Sequence, residues 1–147
     1  MGLYTEMFTE LVRVEIELWN GLDAHLTATA DISLPQFQAL EAIRADAGAA
    51  RVQDISQRMA ITVGATSKVV DRLERDGLAL RSAHPTDRRS SIVSLTDAGA
   101  SALRIADDAA EGHLRGRLGG VLSDEGAGRL LGDLLSLRSA SRVEVAK

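Results

Sequence analysis

A chain of 147 residues is the size of one domain, and 45% hydrophobic residues suffice for a core that, with only four aromatic side chains, is built mostly from Leu, Val, Ile and Ala. Cysteine is absent, which excludes disulfides, thiolate zinc sites and thiol-based oxidation sensing by this chain. The net charge of −4 argues against a nucleic-acid partner only until it is divided along the chain: residues 51–95 hold eight Lys or Arg against five Asp or Glu, a balance of +3, while the remainder holds nine against sixteen, a balance of −7.

From residue 3 to residue 28 apolar residues recur at helical spacing. Met7, Leu11, Val14, Leu18 and Leu22 fall on one side, and Phe8, Val12, Ile16 and Trp19 widen the sector, a stripe too broad for a helix with one neighbour. No apolar run approaches a membrane span, and the start MGLYTEMF has no basic stretch ahead of an apolar one. Neither a transmembrane helix nor a signal peptide is expected, and a cytoplasmic location is.

Val52 to Met59 predicts a short helix with Val52, Ile55 and Met59 inward, joined through Ala60-Ile61 to a second helix. Thr62 is a good N-cap for that second helix, Thr66, Val69, Val70 and Leu73 follow at helical spacing, and Gly77 supplies a stop. Its other face shows Val63, Gly64, Ser67, Lys68, Asp71 and Arg75, with Arg72 at the edge. That surface is small, partly basic and free of bulky obstruction, as a helix lying against base edges requires.

Two short runs with apolar spacing near two follow, Leu78 to Ala83 and Ser91 to Leu95, separated by the turn formers Pro85, Thr86 and Asp87. They predict a β-hairpin whose tip carries Arg88 and Arg89. A projecting guanidinium suits the narrow, electronegative minor groove of DNA. Two helices with a tight connection followed by such a hairpin make a winged helix-turn-helix.

Thr96 then caps a helix through Leu103, Ala106, Ala110, Leu114 and Leu118, and after Gly119-Gly120 another carries Leu130, Leu131, Leu134, Leu135 and Leu137. These stripes have no obvious partner inside a small winged helix; a two-fold dimer would bury them. The predicted fold is therefore mainly α with a small β-hairpin wing, a winged helix-turn-helix flanked by long N- and C-terminal dimerisation helices.

Asp71-Arg72-Leu73-Glu74 with Gly77-Leu78, then Asp87, Arg89, Leu95-Thr96 and Gly99, stand in the spacing used by the MarR family of bacterial transcriptional regulators, which the chain resembles. Weaker echoes are Leu34-Pro35-Gln36-Phe37 with Leu40, like the family's second helix, and Leu122-Ser123-Asp124-Glu125 opening the last one. The resemblance implies one domain over residues 1–147, with a DNA-binding lobe at 33–96 and a helical dimerisation lobe at 1–30 and 97–147. It implies a homodimer on double-stranded DNA bearing an inverted repeat, with half-sites about one helical turn apart. By the same resemblance Arg89 enters the minor groove and Asp87 holds its guanidinium by a charge-assisted bond. Arg88 and Arg72 are assigned to phosphates, Ser67 and Lys68 to base edges, and Val63 to a thymine methyl. The small first turn, Val63-Gly64-Ala65, shifts specificity toward Lys68, the wing and DNA shape.

Members of that family commonly bind phenolic or other aromatic anions between the dimer helices and the DNA-binding lobe. Arg13, Trp19, His25 and Arg44 are candidates for such a place, offering stacking, charge and a titratable donor, although Trp19 reads first as core packing and Arg13 as a surface or intersubunit ion pair. Enzymatic readings lack a motif. His25, His84 and His113 stand in no metal-ligand spacing, Glu111 with His113 is a weak pair, and neither Thr96-Asp97-Ala98-Gly99 nor the later glycines form a phosphate loop. No catalysis, metal or cofactor is expected. The implied function is a homodimeric repressor released by a small ligand. A winged-helix dimer acting as a protein interaction module is the reading from a different class, motivated by the net acidity and the sparse first turn of the recognition helix. The arginines of the wing argue against it.

Overall fold

The computed structural model describes residues 2–145, with side-chain environments through Arg142. Six helices and three short strands follow one another: α1 (Leu3–Ala30), α2 (Leu34–Ala45), β1 (Ala49–Arg51), α3 (Val52–Met59), α4 (Val63–Arg75), β2 (Ala79–Ala83), β3 (Ser91–Leu95), α5 (Asp97–Leu118) and α6 (Asp124–Val145). The mainly helical architecture with a small wing is the one predicted, and α3, α4 and β3 fall where the spacing places them.

Punctuation by polar side chains explains most boundaries. Ser33 and Gln36 form a reciprocal capping box at the start of α2, with Pro35 in its first turn. Asp23 of α1 accepts the Leu34 N–H at 2.7 Å, so the same helix start is also tied to its neighbour. Thr96 Oγ1 accepts the Gly99 N–H at 2.9 Å and donates to the Gly77 carbonyl at 2.7 Å. One hydroxyl thereby caps α5 and fastens it to the turn that ends α4. Gly99 has no room for a side chain: a Cβ there would lie 1.9 Å from the Leu78 carbonyl oxygen.

The strand β1 is an addition to the predicted hairpin. It pairs antiparallel with β3, giving the sheet order β1-β3-β2, with Ala50 opposite Val93 and Arg81 opposite Val93 on the other side. Ala49-Ala50-Arg51 has no alternating pattern of its own. It is extended because β3 offers a free edge and because Gly48, at φ +84°, turns the chain back to accept the Leu95 N–H at 3.1 Å.

The chain divides into two compact units, one reaching to Glu111 and one from Gly112. In the first, Leu26, Leu40, Ile43, Ile55, Val70, Leu73, Val93 and Leu103 are fully buried. Leu22 and Leu26 of α1 join this core, whereas Tyr4, Met7, Phe8, Leu11, Val14 and Ile16 earlier on the same helix are exposed. In the second unit, Ser123 Oγ caps α6 by accepting the Gly126 N–H at 3.1 Å, and Leu130, Leu131, Leu134, Leu135 and Leu137 are exposed. The stripe of α6 and the first half of that of α1 therefore lie open, whereas Leu22 of α1 and, against expectation, Leu103, Ala106 and Ala110 of the α5 stripe are buried within the chain.

Candidate nucleic-acid interface

The geometry of the recognition helix α4 begins in the turn before it. Ala60 adopts a left-handed conformation, φ 56°, ending α3. The Ser56 hydroxyl donates to the Ile61 carbonyl at 2.7 Å, which holds the tight connection shut. Thr62 Oγ1 then accepts the Ala65 N–H at 3.1 Å as the N-cap. Thr66, Val70 and Leu73 are buried, which turns Val63, Gly64, Lys68, Asp71, Arg72 and Arg75 outward. At the far end the buried Gln36 of α2 donates through Nε2 to Asp76 Oδ2 at 2.9 Å, anchoring the helix C-terminus.

Arg81 of β2, which the sequence pattern did not single out, locks the wing to α4. Its Nη1 bonds Asp71 and, at 2.7 Å, Glu74, while Nη2 donates to the Ser67 carbonyl at 3.2 Å and to Ser67 Oγ at 3.3 Å. Burial acts to lower the Arg81 pKa, but the bonds to the two carboxylates outweigh it and raise the value. Ser67, expected at base edges, is half-buried and engaged by this arginine. A trace was available in the sequence: Asp71 and Glu74 are three residues apart and share one helix face, so a cation opposite them is called for.

At the tip of the hairpin Arg88 and Arg89 are exposed, and among the described residues neither guanidinium is in an ion pair. The role expected of Asp87 is corrected. Its Oδ1 accepts the backbone N–H of Arg89 at 3.0 Å instead of the guanidinium. A short acidic side chain reaches the amide two residues on more readily than a long, solvated one. Asp87 therefore shapes the turn and leaves the Arg89 head free.

A cavity of about 550 Å³ lies beside α4, lined by Trp19 and Asp23 of α1, Ser33, Pro35 and Gln36 at the start of α2, and Lys68, Val69, Asp71, Arg72 and Arg75 of α4. Of the four ligand candidates only Trp19 lines it. Arg13 is exposed and paired with Glu10 at 2.7 Å. Arg44 is held by Asp107 at 2.5 Å, which raises its pKa, with Glu41 also 2.5 Å away. His25 stands apart from the cavity lining. The cations that do reach the cavity come from α4, and their helical spacing of three to four residues was visible in the sequence. Among the described residues no group of His, Cys, Asp or Glu is set to hold a metal ion, and no helix is long and apolar enough to cross a membrane.

A two-helix unit with a capped, exposed second helix and an arginine-tipped hairpin defines a winged-helix DNA-binding protein. The family model of the MarR family matches residues 32–91, from α2 to the tip of the wing, so this part of the chain is a MarR-family domain. It is similar to YfiV of Bacillus subtilis, an uncharacterised HTH-type transcriptional regulator, with 32% identity over 95 residues, 65% of this chain and 54% of the relative. The chain thus spans about half the length of that relative. Among solved structures it is similar to a mutant MarR from E. coli complexed with operator DNA, at 24% identity and TM-score 0.78 over 93% of this chain and 99% of the other. It is also similar to the organohalide-sensing regulator RdhR-CbdbA1625 in its 2,4-dichlorophenol-bound form, at 16% identity and TM-score 0.82 over 95% and 82%. At such identities the two structures establish the fold.

Proposed function

We propose that this protein is a cytoplasmic, homodimeric transcriptional repressor that binds an inverted repeat and is released by a small aromatic or anionic ligand. The observation that carries the reading is the pair of exposed arginines, Arg88 and Arg89, on a wing that Arg81 fastens to an equally exposed α4. In this arrangement Arg89 enters the minor groove, Arg88 and Arg72 meet phosphates, and Lys68 and Val63 meet the edges of bases. The dimerisation lobe comprises residues 1–30 and 97–147, and the open apolar faces of α1 and α6 support self-association.

The cavity supports the ligand-responsive part. Lys68 and Arg72 line it and also belong to the outward face of α4. An anion seated there draws on cations that DNA phosphates also use, so ligand and operator favour different arrangements of the same side chains. Only such a differential affinity lets a ligand release DNA.

The test is selection of random duplex DNA with the purified protein, followed by binding to the enriched sequence across a series of salt concentrations. Enrichment of an inverted repeat, bound as a dimer with affinity falling steeply with salt, is the expected result. Failure to enrich any sequence overturns the proposal and leaves the winged-helix dimer as an interaction module.

A further inference from the structure

The tip of the wing is built around one imidazole. His84 stands half-buried where β2 gives way to the turn. Its Nδ1 accepts the backbone N–H groups of Thr86 at 3.2 Å and Asp87 at 3.1 Å, with the Thr86 hydroxyl 3.3 Å away. The backbone N–H of His84 donates to the Ser90 carbonyl at 3.2 Å, closing the turn from the opposite side. On the far side of the ring Arg51 of β1 brings Nη2 to 2.7 Å from Nε2. Arg51 and Asp87 are the charged residues joined to this ring, and the Asp87 carboxylate is occupied by the Arg89 N–H.

Both ring nitrogens therefore face donors. A neutral imidazole has one nitrogen able to accept, and an imidazolium has none. A proton added to Nδ1 displaces the Thr86 and Asp87 amides, leaves the Thr86 hydroxyl at 3.3 Å to accept in place of two amide donors, and sets a second positive charge against Arg51. We propose that His84 is the positioning residue of the wing, and that its neutral form holds Arg88 and Arg89 in the posture that engages DNA. The consequence for operator binding rests on the DNA-binding function proposed above; the structural claim does not.

The sign follows from linkage. The amide bonds of Thr86 and Asp87 require an unprotonated Nδ1, so on this proposal acid favours the opened turn. Simple electrostatics gives the opposite direction, because an extra positive charge near phosphates strengthens binding. The direction of the pH effect separates the two.

The experiment uses the full chain as wild type, His84→Asn and His84→Ala, between about pH 8 and about pH 5.5, an interval that brackets the ordinary imidazole value of about 6.5. Asparagine carries Oδ1 at the same number of bonds from Cβ as Nδ1, so it accepts the same amides without titrating. The Thr86 and Asp87 amide resonances of the free protein are followed by NMR, and binding to the selected duplex by fluorescence anisotropy at constant ionic strength. In the wild type the two amides should move together on acidification and affinity should fall about tenfold, the loss expected from one or two hydrogen bonds. His84→Asn should keep its affinity across the interval, and His84→Ala should bind weakly throughout while retaining the wild-type thermal melt. Amides indifferent to pH, an affinity that rises with acid, or an equal acid loss in His84→Asn would each overturn the proposal. Should no duplex be selected, the DNA-binding reading fails by itself, and the amide titration still decides the role of the ring.

Discussion

Replacing Arg81 by glutamine tests the coupling of wing to recognition helix at its centre. The substitution removes the bonds to Asp71, Glu74 and the Ser67 carbonyl while keeping most of the side-chain volume. Arg81 is 25% exposed, Glu74 33% and Asp71 54%. The Asp71 bond therefore counts as a surface pair, the other two as partly buried bonds, and the expected loss is about 1.5 kcal/mol. In a domain of this size that lowers Tm by about 3–6 °C. The larger effect falls on DNA. Without the guanidinium, two carboxylates three residues apart on α4 stand uncompensated beside the backbone phosphates, and affinity should drop by about tenfold. Adding Asp71→Asn and Glu74→Gln to the Arg81→Gln protein should restore most of that affinity, since the charges needing compensation are then gone. Differential scanning fluorimetry and anisotropy titrations at fixed salt read both effects. A variant with unchanged Tm and affinity refutes the coupling. A triple variant no better than Arg81→Gln shows that Arg81 serves DNA by direct contact.

Three further expectations follow from single contacts. Arg89→Ala should weaken operator binding by about tenfold or more while leaving Tm unchanged, because the exposed guanidinium makes no intramolecular ion pair; equal affinity in a salt-controlled shift assay removes the minor-groove role. Gly99→Ala places a Cβ 1.9 Å from the Leu78 carbonyl oxygen, so the start of α5 must move, at a cost of about 1–3 kcal/mol in chemical denaturation; a wild-type midpoint refutes the close approach. Burial, with the nearby charge of Asp107, raises the Glu41 pKa above its ordinary 4.5 despite the attraction of Arg44. A carboxyl raised on folding binds its proton more readily in the folded state, so stability declines as pH rises through the interval above 4.5. Glu41→Gln should remove that decline, and melting curves that run parallel to wild type across this interval would count against it.

Much of this fold is written in punctuation that acts over a few residues. Thr62 and Gly77 bound α4, Thr96 opens α5, and Pro85-Thr86-Asp87 separates two strands, because caps and turns are satisfied by atoms within one helical turn or one bend. The outward face of α4 and the arginines of the wing were legible for the same reason: once the buried positions are assigned by spacing, the remaining ones face out. The Asp87 assignment failed at this same short range, since its carboxylate had both a guanidinium and a backbone amide within reach and took the nearer, better-placed amide. Three features belong to tertiary structure alone. The strand β1 has no pattern and exists only as a partner for the edge of β3. Arg81 finds its carboxylates on another element, and the cations of the cavity meet Trp19 only because α1 packs beside the start of α2. The helices, the hairpin, the outward face of α4 and the charge of the DNA-binding lobe were legible along the chain, because spacing and caps act locally. Which side chains pair across those elements was decided by the packing of Leu26, Leu40, Ile43, Val70 and Leu73, since a bond between distant residues forms only where a close-packed core has fixed their separation.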